Sequence, residues 1–247
     1  DFKWNMGWMN DFLEYQKCDP YFRKYNHNKM TFSMTYAYSE NYILVISHDE
    51  VVHLKKSMLE KMPGNDEQKF ANLKAAYAFM LGHPGKKLLF MGQEFGERRE
   101  WSEERELDWP SLDDPKHRDL KDYVGQLLAM YNKYPALYGM DDTWDGFQWI
   151  NANDGDRSIF SFVRYSPSKR NNLLFVINFT PVERPDYRVG VPKKKRYTKI
   201  FSTKAPEIGG VADTEPVIYQ AKASECDGQP YSIDYPLPGY GVAVFKF

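Results

Sequence analysis

Residues 43–50 read Ile43-Leu44-Val45-Ile46-Ser47-His48-Asp49-Glu50, four β-prone apolar residues followed at once by four polar ones. A continuous apolar run of this length is what a strand buried on both faces requires, and the polar tetrapeptide marks the turn after it. A second run, Leu88-Leu89-Phe90-Met91, is broken by Gly92 and predicts another buried strand. Between the two lies a well-signalled helix. Asn65 with Gln68 three residues on has the form of a capping box, Phe70, Leu73, Tyr77 and Met80 share one face, and Gly82 with Pro84 ends the segment. Upstream, Trp8, Met9, Phe12 and Leu13 are spaced for a helix that stops at Asp19-Pro20. Downstream of a charged loop, Leu120, Tyr123, Val124, Leu127, Leu128 and Tyr131 form an apolar stripe that closes before Pro135. The succession predicts an α/β region of parallel βα units.

From about Gly146 the apolar period changes to two. Ser158-Ile159-Phe160-Ser161-Phe162-Val163, Leu173 to Phe179, Tyr187-Arg188-Val189-Gly190-Val191 and Gly241-Val242-Ala243-Val244-Phe245 are strand-like, separated by turns rich in Asn, Gly, Pro and Lys. The expected division is an α/β region over 1–140 and an all-β domain over 141–247, with turn chemistry near Gly139–Asp145. Size limits the first region. A closed (β/α)8 barrel takes about 250 residues, roughly 30 per unit, so this region holds three or four units and cannot close one. An open doubly wound sheet fits the length, but no Gly-rich fingerprint follows a strand, which removes the usual nucleotide reading.

Composition narrows the function classes. Of 247 residues 42% are hydrophobic and 27% charged, a globular balance rather than a disordered one. A net charge of −1 gives no general attraction to nucleic acid or to an anionic membrane, so neither is expected as a partner. The apolar runs are far shorter than the ~18 residues of a spanning helix, and the N-terminus shows no signal-peptide core. Cys18 and Cys226 are too few for a disulfide framework or a metal cluster, which points to a reducing, cytoplasmic setting, with a single bridge left open. Aromatic residues reach 16%, enough for both a large core and a sugar-stacking surface. The chain opens at Asp1 on structured sequence, which is expected of a piece of something longer.

In a parallel α/β fold catalytic groups sit at the C-terminal ends of strands, here Ser47-His48-Asp49-Glu50 and Gly92-Gln93-Glu94. A carboxylate there can support positive charge, and an imidazole beside it can hydrogen-bond a hydroxyl. Glycoside chemistry needs both, because its transition state resembles an oxocarbenium ion. The same tetrapeptide also reads as a plain polar turn. His48 and His53 are five apart rather than the four of a helical zinc pair, and no third ligand accompanies them, so no metal is expected. Lys193-Lys194-Lys195-Arg196 could bind an anion but, between two expected strands, is more often a solvated turn, and Asn178-Phe179-Thr180 is a sequon without meaning unless secreted. Trp101, Trp109, Tyr36 and Tyr38 are candidates for stacking on sugar or for ordinary packing.

The string Ile46-Ser47-His48-Asp49-Glu50-Val51-Val52-His53 resembles the fourth conserved region of the α-amylase superfamily as it occurs in glycogen and starch branching enzymes. Residues 1–11, Leu88 to Gly96, Arg99-Glu100-Trp101, Asn178-Phe179-Thr180-Pro181 and Tyr187 to Pro192 are similar to that family in the same order. The resemblance implies the last strands of a (β/α)8 barrel followed by a whole C-terminal β-sandwich. It places the carboxylate that stabilises the transition state on Asp49 and a substrate-contacting histidine on His48. It assigns the nucleophile and the acid/base to earlier strands outside this sequence, so the fragment alone is expected to be inactive and the missing N-terminal half of the same enzyme becomes a potential partner. The implied reaction is retaining, without cofactor: an α-1,4 link of glycogen, starch or amylose is cut and the chain passed to a 6-hydroxyl. A hydrolase of the same superfamily and a non-catalytic glucan-binding module are the alternatives. The sequence departs from the family in having Leu54 where glycine is usual after the second histidine, and Gly92-Gln93 where two glycines are common.

Overall fold

A computed structural model of the chain describes residues 1–203 and 212–247. The first region contains strands β1 (Lys3–Trp4), β2 (Tyr42–Ile46) and β3 (Lys86–Leu89) and helices α1 (Met6–Lys17), α2 (Asn28–Thr31), α3 (Met58–Lys61), α4 (Asp66–Gly82) and α5 (Pro115–Lys133). The three strands are parallel in the order β1-β2-β3, with Ile43 opposite Lys86 and Ile46 opposite Leu89. Asn5 caps α1 by accepting the Trp8 N–H, and the Asn65–Gln68 capping box of α4 is formed in both directions. Asp114 caps α5 by accepting the Lys116 N–H, and Pro115 at its first position, which has no N–H to satisfy, suits helix initiation.

The second region contributes β4 (Phe147–Asn151), β5 (Ile159–Arg164), β6 (Leu173–Asn178), β7 (Arg188–Val191), β8 (Arg196–Ser202), β9 (Val217–Gln220), β10 (Tyr231–Asp234) and β11 (Val242–Lys246). Six of them form an antiparallel sheet in the order β4-β5-β6-β11-β8-β9, and β7 pairs with β10 in a second, two-stranded sheet. Two cores result. Trp8, Phe12, Leu73, Phe79 and Tyr123 of the helices pack with Phe162, Phe175, Ile177 and Val244 from one face of the large sheet. Leu174, Val176, Ala243 and Phe245 from its other face pack with Val189, Val191 and Ile233 of the small sheet. Strands β5 and β6 are therefore buried on both faces, and β11 nearly so.

Two buried arginines join helices to sheet. Arg23 donates to the Asn72 side chain at 2.9 Å and to the Phe179 carbonyl at 2.6 Å. Arg164 donates to the last carbonyl of α4, Gly82, at 2.8 Å and to the Asp141 carboxylate at 2.6 Å.

Some details differ from the sequence reading. The strand expected at Leu88–Met91 runs from Lys86 to Leu89 and is only half-buried, because among the described strands it lies at the sheet edge. Leu128 is exposed rather than part of the α5 stripe. Strands β4, β8, β9 and β10 carried too little apolar alternation to be read individually. Among the described residues, no helix is long and apolar enough to cross a membrane.

Candidate active site at the end of the second strand

Strand β2 ends at Ile46, and the chain turns through a short 3₁₀ helix over His48–Val51 with Ser47 as its N-cap. The Asp49 N–H donates to the Ser47 hydroxyl at 3.3 Å, while the Ser47 N–H and hydroxyl donate to Glu50 Oε2 at 2.5 and 2.9 Å. This reciprocal box consumes one of the two neighbouring carboxylates. Glu50 is 5% exposed and holds the turn. The Asp49 side chain is 59% exposed and meets only His48 Nε2, at 3.3 Å, among its ion-pair contacts. A turn at the C-terminal end of a parallel strand thus presents one free carboxylate to solvent, with an imidazole beside it.

The His48 ring lies 5.7 Å from the rings of both Phe90 and Trp101, which meet edge-on at 5.3 Å. Trp101 is tied to the turn by its N–H, which donates to the Val51 carbonyl at 2.9 Å. Of the four aromatic residues singled out in the sequence, Trp101 alone joins this site through ring contact with His48. Trp109 packs near Phe95, Tyr36 against Phe32 and Tyr42, and Tyr38 against Trp144. The role of Phe90 was hidden by its place in an apolar run, which reads as strand core.

At the end of β3, the second candidate turn is built for support. Gly92 has φ +87°, a conformation that favours glycine, and its missing side chain lets the backbone pass Glu97 and Leu107 closely. Gln93 is buried, its side chain accepts the Phe90 N–H at 3.2 Å and its carbonyl accepts the Tyr77 hydroxyl at 2.9 Å. The other departure from the family pattern, Leu54, stands at φ +65° and is 95% exposed, in a loop where His53 and Lys56 also have positive φ.

Among the described residues, no group of three or more His, Cys, Asp or Glu side chains is placed to hold a metal ion. Cys18 and Cys226 are free thiols, and burial pushes the Cys226 thiol up to about 11. Asn178 is inaccessible: its amide donates to the Val182 and Pro238 carbonyls at 2.8 and 2.9 Å, so the sequon is a packing motif of the folded chain.

Residues 149–247 match the family described as alpha amylase, C-terminal all-beta domain. Along essentially the whole chain the sequence is 56% identical to a 1,4-alpha-glucan branching enzyme of Butyrivibrio fibrisolvens and 47% identical to one of Geobacillus stearothermophilus, covering 38% of each relative. A Roseobacter denitrificans relative of the same name is 49% identical over 99% of the chain and 34% of its own length. The chain thus spans less than two-fifths of the curated relatives it matches. Among solved structures it is similar in fold to a type I pullulanase from Bacillus subtilis, with a TM-score of 0.70 at 13% identity over 99% of this chain and 35% of that one. It is similar too to an alpha-amylase from H. orenii, with a TM-score of 0.61 at 15% identity over 100% of this chain and 49% of that one. Matched end to end at such identities, the chain is similar throughout to the C-terminal part of 1,4-alpha-glucan branching enzymes.

Proposed function

We propose that this chain is the C-terminal part of a 1,4-alpha-glucan branching enzyme, which cuts an α-1,4 link and transfers the released chain to a 6-hydroxyl. The observation that carries this reading is the 56% identity to a branching enzyme over the entire chain. The geometry supports it. Asp49 is a free carboxylate at a strand end, suited to stabilise a developing oxocarbenium ion, and His48 beside it can fix a sugar hydroxyl. In this reading β1, β2 and β3 are the last strands of a (β/α)8 barrel, residues 1–140 are its incomplete end, and 141–247 form the β-sandwich. The nucleophile and the acid/base would come from the N-terminal half of the same enzyme, and the substrate is an α-glucan such as glycogen, starch or amylose. The residues call for no cofactor, and a cytoplasmic setting fits the two free thiols.

The test is product analysis with the complete protein. Incubated with linear amylose, it should abolish iodine staining with little release of reducing ends, because the cut chain is transferred rather than hydrolysed. Abundant reducing sugar would instead assign the protein to the hydrolases of the superfamily.

A further inference from the structure

The turn that bears Asp49 is too short to hold itself. A 3₁₀ helix of four residues leaves its last carbonyls without partners inside the helix. Here side chains and a neighbouring loop segment take them. The Asp49 carbonyl accepts from Lys55 Nζ at 2.8 Å, the Glu50 carbonyl from Lys61 Nζ at 2.5 Å, and the Val51 carbonyl from the Trp101 N–H at 2.9 Å. Lys61 does more. From the end of α3 its amine also donates to the Lys55 carbonyl at 2.5 Å and to that of Lys56. It is 6% exposed and these three carbonyls take all three of its N–H donors.

On the outer side of the same loop, Glu100 accepts the Leu54 N–H at 2.9 Å and the Lys56 N–H at 2.6 Å. The residues held between these two groups include His53, Leu54 and Lys56, all at positive φ, where a side chain is strained. A conformation of this kind persists only when its surroundings over-determine it. Lys61 grips the carbonyls and Glu100 the N–H groups.

We infer that Lys61, as an ammonium ion, is a positioning residue for Asp49: it clamps the strained 53–56 loop onto the 48–51 turn, with Glu100 as the opposing jaw. This rests on the reading of Asp49 as the carboxylate that supports the transition state. The clamp depends on charge because an ammonium has three N–H donors and a neutral amine two, so loss of the proton frees at least one carbonyl. Burial pushes the Lys61 amine down to about 8. Lys17 at the end of α1 and Lys55 in the loop push it the same way, and Glu100 and Glu50 oppose them. The clamp is therefore closed below about pH 8 and opens above it. Global stability moves in the opposite sense. Between about 8 and the ordinary lysine value of 10.5, the unfolded chain binds more protons than the folded one, so this group's contribution to stability rises with pH. Loop opening and unfolding are thus separable.

The experiment uses the complete protein, as wild type, Lys61→Met and Asp49→Asn. It follows kcat, KM and the rate of tryptic nicking at the exposed Lys55-Lys56 pair from pH 7 to 9.5, with nicking normalised to a peptide substrate at each pH. Misplacement of a catalytic group by about 1 Å costs up to about 100-fold, so a loosened Asp49 is expected to lower wild-type kcat by about tenfold or more across pH 8, with KM little changed. Nicking should accelerate in step. Lys61→Met should show low kcat and fast nicking already at pH 7, and no further change through pH 8. Lys61→Met with kcat within about twofold of wild type would overturn the proposal, as would wild-type kcat and nicking that stay level from pH 7 to 9.5. Should Lys61→Met fail to fold, the wild-type pH series decides alone. Asp49→Asn should be nearly inactive yet keep the pH-dependent nicking; an active Asp49→Asn would overturn the reading of Asp49 itself, whatever the nicking shows.

Discussion

Two carboxylates separated by one peptide bond leave the turn after β2 in different directions, and Ser47 is the cause. By exchanging hydrogen bonds with Glu50 it turns that side chain back onto the strand end, which leaves Asp49 to solvent. That two adjacent acids leave one turn in different directions is legible in the sequence, whereas the burial of Glu50 rather than Asp49 follows from the capping box that the folded turn forms. In the complete protein, Asp49→Asn keeps the size and removes the charge, and is expected to lower kcat by about 10²–10³ with little change in KM. Turnover near wild type would mean Asp49 is a turn residue only. Leu54 is a second residue whose cost the structure reveals. A left-handed conformation costs a residue with a Cβ about 1–2 kcal/mol, and glycine gives back roughly half of that gain as extra chain entropy in the unfolded state. Since the Leu54 side chain is almost wholly in water, Leu54→Gly should raise stability by about 0.5–1 kcal/mol, read from the denaturant midpoint at constant m-value. A drop would show that the leucine side chain makes a contact that outweighs the strain.

At the scale of elements, α4 shows how a helix can be legible in sequence while its packing partners are not. Its cap, its apolar face and its stop at Gly82 were legible from Asn65, Gln68, Phe70 and Pro84. That Gly82 is a contact point was not, because nothing local requires it: its partners are Phe162 and Phe175, 80 and 93 residues away. A Cβ at Gly82 would stand 2.8 Å from Phe162, closer than carbon atoms approach, and 3.0 Å from Phe175, a contact tighter than almost any Cβ makes. Gly82→Ala is therefore expected to push the end of α4 off the sheet and cost about 1–3 kcal/mol. Gly125 in α5 is the control, since a Cβ there meets nothing within 4 Å, and Gly125→Ala should stabilise by about 1 kcal/mol through helix propensity alone. Thermal or chemical denaturation of the pair checks both signs, and a neutral Gly82→Ala would mean the helix end adjusts freely. The strands were unevenly legible for a related reason. Strands β5, β6 and β11 are apolar runs because both faces of the large sheet are covered, whereas β9 is largely exposed and β10 is short, so neither stands out from loop sequence.

At the scale of the molecule, the helices and the large sheet share one core, and Arg23 and Arg164 stitch them with hydrogen bonds to backbone carbonyls across the junction. The Asp141 carboxyl beside Arg164 is largely shielded from water, which would raise its pKa, yet Lys87 and Arg164 hold it below the usual carboxylate range. The other side of the parallel sheet is different. Phe2, Trp4 and Met6, in and beside β1, are large apolar side chains exposed to water, and β1 pairs only with β2 among the described strands. An edge strand with this surface is a template for further pairing, which is what the proposed N-terminal half of a barrel would supply. The expected consequence is that the 247-residue chain, assayed alone, forms no branches. A retaining displacement needs a nucleophile and an acid whose carboxyl groups lie about 5–5.5 Å apart across the scissile bond. Asp49 cannot find that partner in Glu50, because Glu50 is buried and its Oε2 is held by the Ser47 N–H and hydroxyl. Purified chain, shown free of any complete enzyme, should be incubated with amylose and the product treated with a debranching enzyme to release chains from α-1,6 links. Adding the N-terminal half of the enzyme should restore branching if the exposed β1 edge is where the two halves meet. Branch formation by the chain alone, at a rate comparable with the restored mixture, would mean that both missing carboxylates lie within these residues and that the assignment of Asp49 as a third, supporting group is wrong.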